Sequence, residues 1–597
     1  MSEQNDQIVT KDMSRRGFLK ASGMAIGAAA VGIAAGCGDN TTRVIKTSDG
    51  STSSVAWDRS TDVIVVGYGG AGAAAAWAAR TAGAEVMIIE RAAAGGGSTN
   101  INGGIVSLGG GTAIQQAAGV NDTPDNFYNY LALAGGPNTS AEHCRVQADN
   151  AVDLCNWLVN TCGVKFNPGI TIPYPEPGCV VEADPTCTAG LTRSCDCYAW
   201  EWAHQVTPAP RGHYVFGIDP TTGAQTSTRL GSGFFQPIKK TVEALSPTII
   251  YKNKVTQLVY DENLKRVTGV VMQAQTDDAG LEFNGQPVYV QATRAVILTA
   301  GGFAANLDMR AQYIPATIHD SLTGTVGDDG TGIRIGMDVG ADVRNMGYAD
   351  GNLALMEGAL IFAANTGGPM TSSIFVDKRG NRFISEDHYR AYTPVTMRTP
   401  SYAQDYEDGT SNVMGVNGYT CYVICDATTW NNCSSDVINN PYTGINVLSP
   451  PTIKNTITEL AQSLGLPNGS LESTIALYNQ NASANSTNLD PVFHKRDQFV
   501  RPIVAPPFYG FPLVSTVGTF TTGGLKINTE AQVIEAVSQQ PISGLYAAGR
   551  NASDVIGQFY QGSGTGVASA FIFGRIAGAN AAAEKPWTAS TTGTTAA

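Results

Sequence analysis

Neither the haem-attachment pattern CxxCH nor ferredoxin cysteine spacing occurs in this chain of 597 residues, although it carries 11 cysteines. Haem and iron–sulfur centres within the chain are thereby excluded, so electrons must leave through a partner or a diffusible carrier. Histidine is scarce: His143, His204, His213, His319, His388 and His494 are the only 6, none at metal-ligand spacing, and no metal is assigned. Positive charge is short as well. Against 50 Asp and Glu stand 37 Lys and Arg, and the net charge of −13 argues against nucleic acid and against adhesion to anionic lipid. The sequence GSGTG near the end lacks the strand-to-helix elbow of a nucleophilic serine, and no internal repeat is found.

Small residues are abundant, and where they cluster they carry the first positive statement. Residues 62–90 read DVIVVGYGGAGAAAAWAARTAGAEVMIIE. DVIVV is a buried strand; Gly67, Gly69 and Gly72 permit a tight turn, close backbone approach to a pyrophosphate, and close packing of helix on strand. The helix AAAAWAARTAG would aim its N-terminal amides at phosphate, with Gly83 as its stop. The second strand then delivers Glu90 where a ribose hydroxyl is expected. A lone GxGxxG is weak in a glycine-rich chain; one between two strands with an acid at this distance predicts a bound adenine dinucleotide.

Further pieces follow in order. KVTQLVYDENLKRVTGVV (254–271) reads as strand, turn and strand, AVILTAGGFAAN (295–306) as a strand entering a glycine turn, and GLYAAGRNASD (from 544) precedes a helical VASAFIFGRIAGANAAA. With GGGSTNINGGI (95–105), SIFVDKRGNRFISE (373–386) and GGLKINTEAQV (523–533), these resemble the flavoprotein family of fumarate reductase subunits and 3-ketosteroid dehydrogenases over residues 60–585. The resemblance implies an α/β fold, a Rossmann-like FAD-binding domain with a mixed parallel sheet, and an inserted α+β capping domain. It also implies FAD, expected to be non-covalent because no histidine stands in an attachment context. The cofactor residues it implies are Gly67, Gly69, Gly70, Ala71 and Gly72 of the first turn, and Glu90 and Arg91 after the second strand. Gly97, Ser98, Thr99, Asn102, Gly103 and Gly104 would pass beside the isoalloxazine, with Val255, Ala300, Gly301 and Gly302 from the middle of the chain. Gly549, Arg550, Ser563, Gly564, Thr565 and Gly566 complete the set.

SRRGFLK (14–20) followed by an apolar, Ala/Gly-rich stretch ending at Cys37 is similar to a twin-arginine export signal, which predicts a periplasmic protein or one on the outer face of the cytoplasmic membrane. That stretch is too weak for a spanning helix, which needs about 20 strongly apolar residues. AAGC leaves signal cleavage and lipid anchoring both open. The expected organisation is a signal over 1–37, a polar linker over 38–57, an FAD-binding domain formed by 58–305 together with 509–586, a capping domain over 306–508, and a low-complexity tail over 587–597. In an exported protein Cys179, Cys187, Cys195 and Cys197, and separately Cys421, Cys425 and Cys433, are expected to act as disulfide staples.

Two constellations carry chemistry. In ketosteroid dehydrogenases a tyrosine four residues before a glycine holds the substrate carbonyl through its hydroxyl and the glycine N–H; Tyr560 and Gly564 in YQGSG match that spacing. The second is EDHYRAY (386–392). EDxY resembles ketosteroid dehydrogenases acting at the 4,5-bond and would make Tyr389 the proton carrier, whereas fumarate reductases place an arginine where Arg390 stands; both remain open. The dicarboxylate clamps of fumarate reductases are missing, since the matching places hold Phe520, Thr521 and Gln561. An unpaired buried carboxylate costs several kcal/mol, of order 3–5, so a neutral carbonyl-bearing small molecule is the expected substrate. The expected function is desaturation next to a carbonyl, with hydride passing to flavin N5. The alternatives are an exported ene-reductase of the fumarate or urocanate type and a flavin-binding electron carrier without its own substrate. A quinone or cytochrome is the expected electron partner.

Overall fold

The computed structural model describes residues 45–46, 55–166, 191–192, 205–219, 221–277, 280–318, 321–322, 324–354, 372–386, 421–431, 451–482, 490, 492–495 and 500–587. The export signal, four of the clustered cysteines (Cys179, Cys187, Cys195, Cys197), Cys433, Tyr389 and Arg390 lie outside them.

β1 (Arg59–Val66) is the DVIVV strand, its last four residues buried, and α1 (Gly70–Thr81) follows it directly. β2 (Val86–Ile89) pairs parallel with β1 and delivers Glu90 as the fingerprint requires. After a short helix α2 (Gly97–Ile101) and strand β3 (Ile105–Ser107) come α3 (Pro124–Ala134) and α4 (Ala141–Asn156). α3 starts where the sequence says it should: Pro124 opens it and the Thr123 side chain accepts from the Asn126 amide. β4 (Gly212–Tyr214) pairs antiparallel with β3.

β5 (Thr248–Ile250) extends the parallel set beyond β2; β6 (Asn253–Asp261) and β7 (Arg266–Ala274) form the hairpin read from 254–271, and β8 (Val288–Leu298) lies beside β1. The chain next folds α5 (Leu307–Tyr313) and α6 (Thr331–Asp338), both packed on the first domain. Met309, Ile314, Ile333, Ile335, Ala341 and Ala349 join the same hydrophobic core as β1 and β8. The cap's own core therefore gathers later than position 306. It draws on Ile374, Ile424, Leu460, Leu471, Ile475 and Phe508.

In the cap, β9 (Ile374–Asp377), β10 (Cys421–Asp426) and β11 (Phe508–Thr521) pair antiparallel, with Cys421 and Cys425 buried in β10. β11 carries the chain back to β12 (Gly524–Lys526) and β13 (Pro541–Ala547), which sits between β7 and β8 in the main sheet. The final helix α7 (Thr565–Ala583) lies against α1. Gly574 and Gly578 make that contact: a Cβ on either would lie 2.5 Å from the Ala71 carbonyl oxygen and 2.1 Å from that of Ala75, respectively. The pairings 71 with 574 and 75 with 578 make the helices run in the same direction. Among the described residues no helix is long and apolar enough to cross a membrane.

Beneath the cap strands lies a buried ion cluster. Glu386, fully buried, accepts from the Arg382 guanidinium twice at 2.8 Å and from the Phe375 amide at 3.1 Å, with Lys495 Nζ 3.3 Å away. Asp490 lies 2.7 Å from the same Nη2 of Arg382 that bonds Glu386, so two cations face two carboxylates. The arginine that pairs with Glu386 is thus Arg382, four residues before it. Removing one member leaves a net buried charge. Glu386→Gln is expected to destabilise the cap by about 3–5 kcal/mol, read as a lowered urea midpoint in tryptophan fluorescence; an unchanged midpoint would contradict the buried cluster.

Candidate functional site

The turn between β1 and α1 is built by backbone crowding. Gly67 takes φ +100°, and a Cβ on Gly72 would lie 2.0 Å from the Gly67 carbonyl oxygen, a contact that no neighbour can relieve. Gly69 differs. Its nearest non-neighbouring atom to an added Cβ is 3.8 Å away; Gly97 has only the Gly69 Cα at 3.7 Å, and Gly103 has nothing within 4 Å. These three glycines border open space, and Gly69 does so at the N-terminus of α1, where donor amides face an anion. The Gly70 amide donates to Thr99 Oγ1 at 3.0 Å, tying the two loops together.

Around this turn the structure brings together several of the residues expected from the sequence. The Gly67 backbone packs on Thr299 and Ala300, Gly549 packs on Ala71, and Gly302 approaches the Arg550 side chain. Arg550 reaches the backbone at Gly566, and its neighbouring charges are Asp328, Asp350 and Asp554; desolvation presses its pKa down. Thr565 and Gly566 open α7, next to Ser563 and Gly564. Val255 is buried in β6 opposite Met272.

Three expected contacts take another form. Glu90 binds the main chain, its carboxylate accepting from Tyr68 N at 2.7 Å and Ala92 N at 2.8 Å, while burial raises its pKa. Each oxygen keeps a second lone pair for a hydroxyl donor. Asn102 is spent on its own loop, accepting from Gly104 N at 2.8 Å and donating to the Thr99 carbonyl at 2.7 Å. Arg91 pairs with Asp329 at 2.6 Å, beside Lys254 at 2.8 Å, and its guanidinium lies 5.3 Å from the Phe283 ring centroid.

Asp328 and Asp329, which sequence reasoning missed, join expected site residues to one another. Asp328 accepts from Ser98 Oγ at 2.9 Å and from Gly302 N at 3.2 Å; burial raises its pKa against these bonds. Asp329 joins Arg91 and Lys254 and accepts from Thr331 N at 3.0 Å, and those cations hold its carboxyl below the usual range despite burial. The only signal in the sequence is an acidic pair ahead of a glycine, GDDGTG.

At the N-terminus of α7 the Gly564 amide donates to the Tyr560 hydroxyl at 2.9 Å and the Gly566 amide at 3.4 Å. The pair expected from spacing is therefore together, but the amide points at the phenol and not into a separate position. Gln561, buried, donates from Nε2 to the Val555 carbonyl at 2.8 Å, and Thr521 Oγ1 accepts from Phe303 N at 3.2 Å. Of the three residues at the clamp positions, Thr521 and Gln561 thus each bond a main-chain group, while Gln561 Oε1 has no hydrogen-bond partner among the described residues. Buried Ser107 Oγ, Thr522 Oγ1, Asn551 Nδ2 and Thr565 Oγ1 have no hydrogen-bond partner among the described residues. Room beside Gly69, Gly97 and Gly103, together with buried unsatisfied polar atoms and the buried Glu90 carboxylate, suits a dinucleotide with hydroxyls and a polar ring system.

A family model described as an FAD binding domain matches residues 62–567. A urocanate reductase of Eggerthella lenta is 26% identical over 87% of this chain and 74% of its own length. A 3-oxosteroid 1-dehydrogenase of Mycolicibacterium smegmatis is 26% identical over 87% of this chain and 97% of its own. Among solved structures, the 3-ketosteroid-Δ4-(5α)-dehydrogenase of Rhodococcus jostii RHA1 in complex with 4-androstene-3,17-dione superposes with TM-score 0.70 at 30% identity, covering 89% of this chain and 99% of that one.

Gly69 and Gly72 separate folding from ligand binding. Gly69→Ala is expected to leave the melting temperature of the flavin-stripped protein unchanged while weakening FAD at least about tenfold, a cost of ~1.4 kcal/mol. Gly72→Ala should lower that melting temperature as well. Full FAD affinity in Gly69→Ala, measured by flavin titration, would contradict the groove assignment.

Proposed function

Because the chain belongs to the FAD-binding-domain family, whose relatives here include both dehydrogenases and reductases, we propose that it desaturates a neutral ketone of the 3-ketosteroid class next to its carbonyl. The observation that carries this is the Tyr560 hydroxyl, 2.9 Å from the Gly564 amide at the N-terminus of α7, with the side chains of Gln561 and Thr521 committed to the main chain. Bound FAD supplies a two-electron hydride acceptor; the cradle described above would hold it.

The chain's own contribution begins at the carbonyl. Since the Gly564 amide donates to the Tyr560 hydroxyl, the two act in series: the amide polarises the phenol, and the phenol donates to the substrate oxygen. The amide of Gly566 adds to the same polarisation. As the α-proton departs, negative charge gathers on that oxygen and the donor strengthens, which is transition-state stabilisation. The proton goes to Tyr389 of the 387–392 segment, a hydride leaves the β-carbon, and a C=C bond forms between the two carbons; in the reductase reading the direction is reversed and Arg390 donates the proton. An unperturbed Tyr titrates near 10 and Arg above 12, so the base needs a relay or a lowered pKa. Glu386, locked by Arg382 and Lys495, anchors the start of that segment.

The second reading, reduction of a conjugated double bond, is favoured by the urocanate reductase relative. SRRGFLK supports export by the twin-arginine route, with periplasmic residence or attachment through Cys37, and a quinone or cytochrome as electron partner. Anaerobic mixing with a panel of saturated ketosteroids separates the readings. Flavin bleaching by a saturated ketone is the expected result; reoxidation of reduced flavin by unsaturated acids alone would overturn the proposal. Tyr560→Phe is expected to slow bleaching by about 10²–10³-fold with FAD content intact, as loss of one oxyanion donor does.

A further inference from the structure

We infer that Tyr130 is a positioning residue for the carbonyl-gripping turn, acting through the main chain of Gln561; this rests on the reading of Tyr560 as the donor to substrate. Tyr130 lies on α3, is 3% exposed, and donates its hydroxyl to the Gln561 carbonyl, one residue after Tyr560. The turn it holds needs holding. Gly562 and Gly564 take φ 141° and 90°, and glycine at such angles resists distortion little. Gly564 is also pressed against β3: a Cβ there would lie 2.6 Å from the Ser107 amide nitrogen. One side of the turn is thus fixed by close packing, and the other by the bond from Tyr130.

The phenol is itself held in place. The Arg211 guanidinium lies 5.0 Å from the Tyr130 ring centroid, and Arg211 is clamped by two 3.0 Å bonds to Asp122, both side chains fully buried. Asp122 also accepts from the Gly110 amide at 3.1 Å. A cation over the ring face draws density from the phenol and makes its O–H a stronger donor. The loop after α3 supports the same segment, because the Gly135 carbonyl accepts from Phe559 N at 3.1 Å. The chain of contact runs from Asp122 through Arg211 and Tyr130 to the Gln561–Gly562 peptide, one residue after Tyr560. A displacement of the phenol by about 1 Å costs on the order of 10²-fold in rate, so a partial loosening of one anchor should be visible in turnover before it is visible in stability.

The test uses the full-length FAD-loaded protein and 5α-androstane-3,17-dione as the saturated ketone, with Tyr130→Phe and Tyr560→Phe measured side by side under anaerobic stopped flow. For Tyr130→Phe the expected result is a limiting rate of flavin reduction lowered about tenfold. The half-saturating ketone concentration should stay within about twofold, with the flavin midpoint potential, FAD content and melting temperature unchanged. A role in stability alone would move the melting temperature and leave the limiting rate, and that outcome overturns the inference. So does a parental limiting rate in Tyr130→Phe while Tyr560→Phe is slow, which leaves the reading of Tyr560 standing. If Tyr560→Phe is as fast as the parent, or the ketone does not bleach the parent, the underlying reading falls and this one with it. Should Tyr130→Phe lose its flavin, Arg211→Lys decides: it keeps a charge opposite Asp122 but removes the flat group from the ring. A slower limiting rate at unchanged half-saturation supports the inference; an unchanged rate overturns it.

Discussion

Backbone lies directly on backbone where α1 meets α7, and the distance between the two working ends of the site follows from that contact. Gly574 and Gly578 sit on the carbonyls of Ala71 and Ala75, with no room for a single methyl group on either glycine. Helices this close cannot slide past one another without breaking dispersion contacts along their length. Their register therefore fixes where each N-terminus points. Thr565 is nine residues ahead of Gly574 while Gly70 is one residue ahead of Ala71, so at 1.5 Å per residue the start of α7 projects roughly 12 Å beyond that of α1. An extended dinucleotide laid along this step would have its phosphates at one helix end and its ring system at the other.

The acidic pair Asp328–Asp329 ties the remaining pieces to that step. One carboxylate reaches Ser98 and the Gly302 amide, the other Arg91, Lys254 and the Thr331 amide. Two consecutive residues so join the loop after β2, the hairpin strand β6, the turn after β8 and the start of the following helix. The two are in opposite electrostatic conditions. Two cations keep Asp329 readily ionised, whereas burial pushes the Asp328 carboxyl up. Short side chains at adjacent positions point to opposite sides of a turn, which is why one pair can serve two separate networks.

What could be read from the sequence is what is local. The strand–turn–helix at Gly67–Gly72, the hairpin at 254–271 and the strand entering the turn at 300–302 all depend on neighbours a few residues away, and they fold as their patterns state. The spacing of Tyr560 and Gly564 was legible too, because one turn entering a helix brings them together. The direction of the Gly564 amide was not, since a hydrogen-bond direction depends on two positive φ angles that spacing alone leaves undetermined. Tyr130 and Arg211 were invisible for a different reason. A separation of 431 residues lies between Tyr130 and Gln561, and one of 89 between Arg211 and Asp122, and nothing around Tyr130 marks it off from a core aromatic. The onset of the cap core shows the same limit: the sequence pattern changes near residue 306, yet Met309, Ile314, Ile333 and Ile335 beyond it share the core of β1 and β8.

Charge around the clamp bears on which substrates it favours. Arg550 is the cation whose charge faces Tyr560, and Asp328, Asp350 and Asp554 surround it. A dicarboxylate entering here would find uncharged Thr521 and Gln561 at the clamp positions, each with a hydrogen bond to a main-chain group. Its desolvation would go uncompensated. A ketone brings no charge in its resting state and develops it only on the oxygen that Tyr560 would hold, late in the reaction. The polarised phenol meets that charge, and the benefit depends on how short the phenol–oxygen bond is kept. That requirement for a short, well-aimed bond is what makes the anchoring of the 560–564 turn from α3 a matter of chemistry as well as packing.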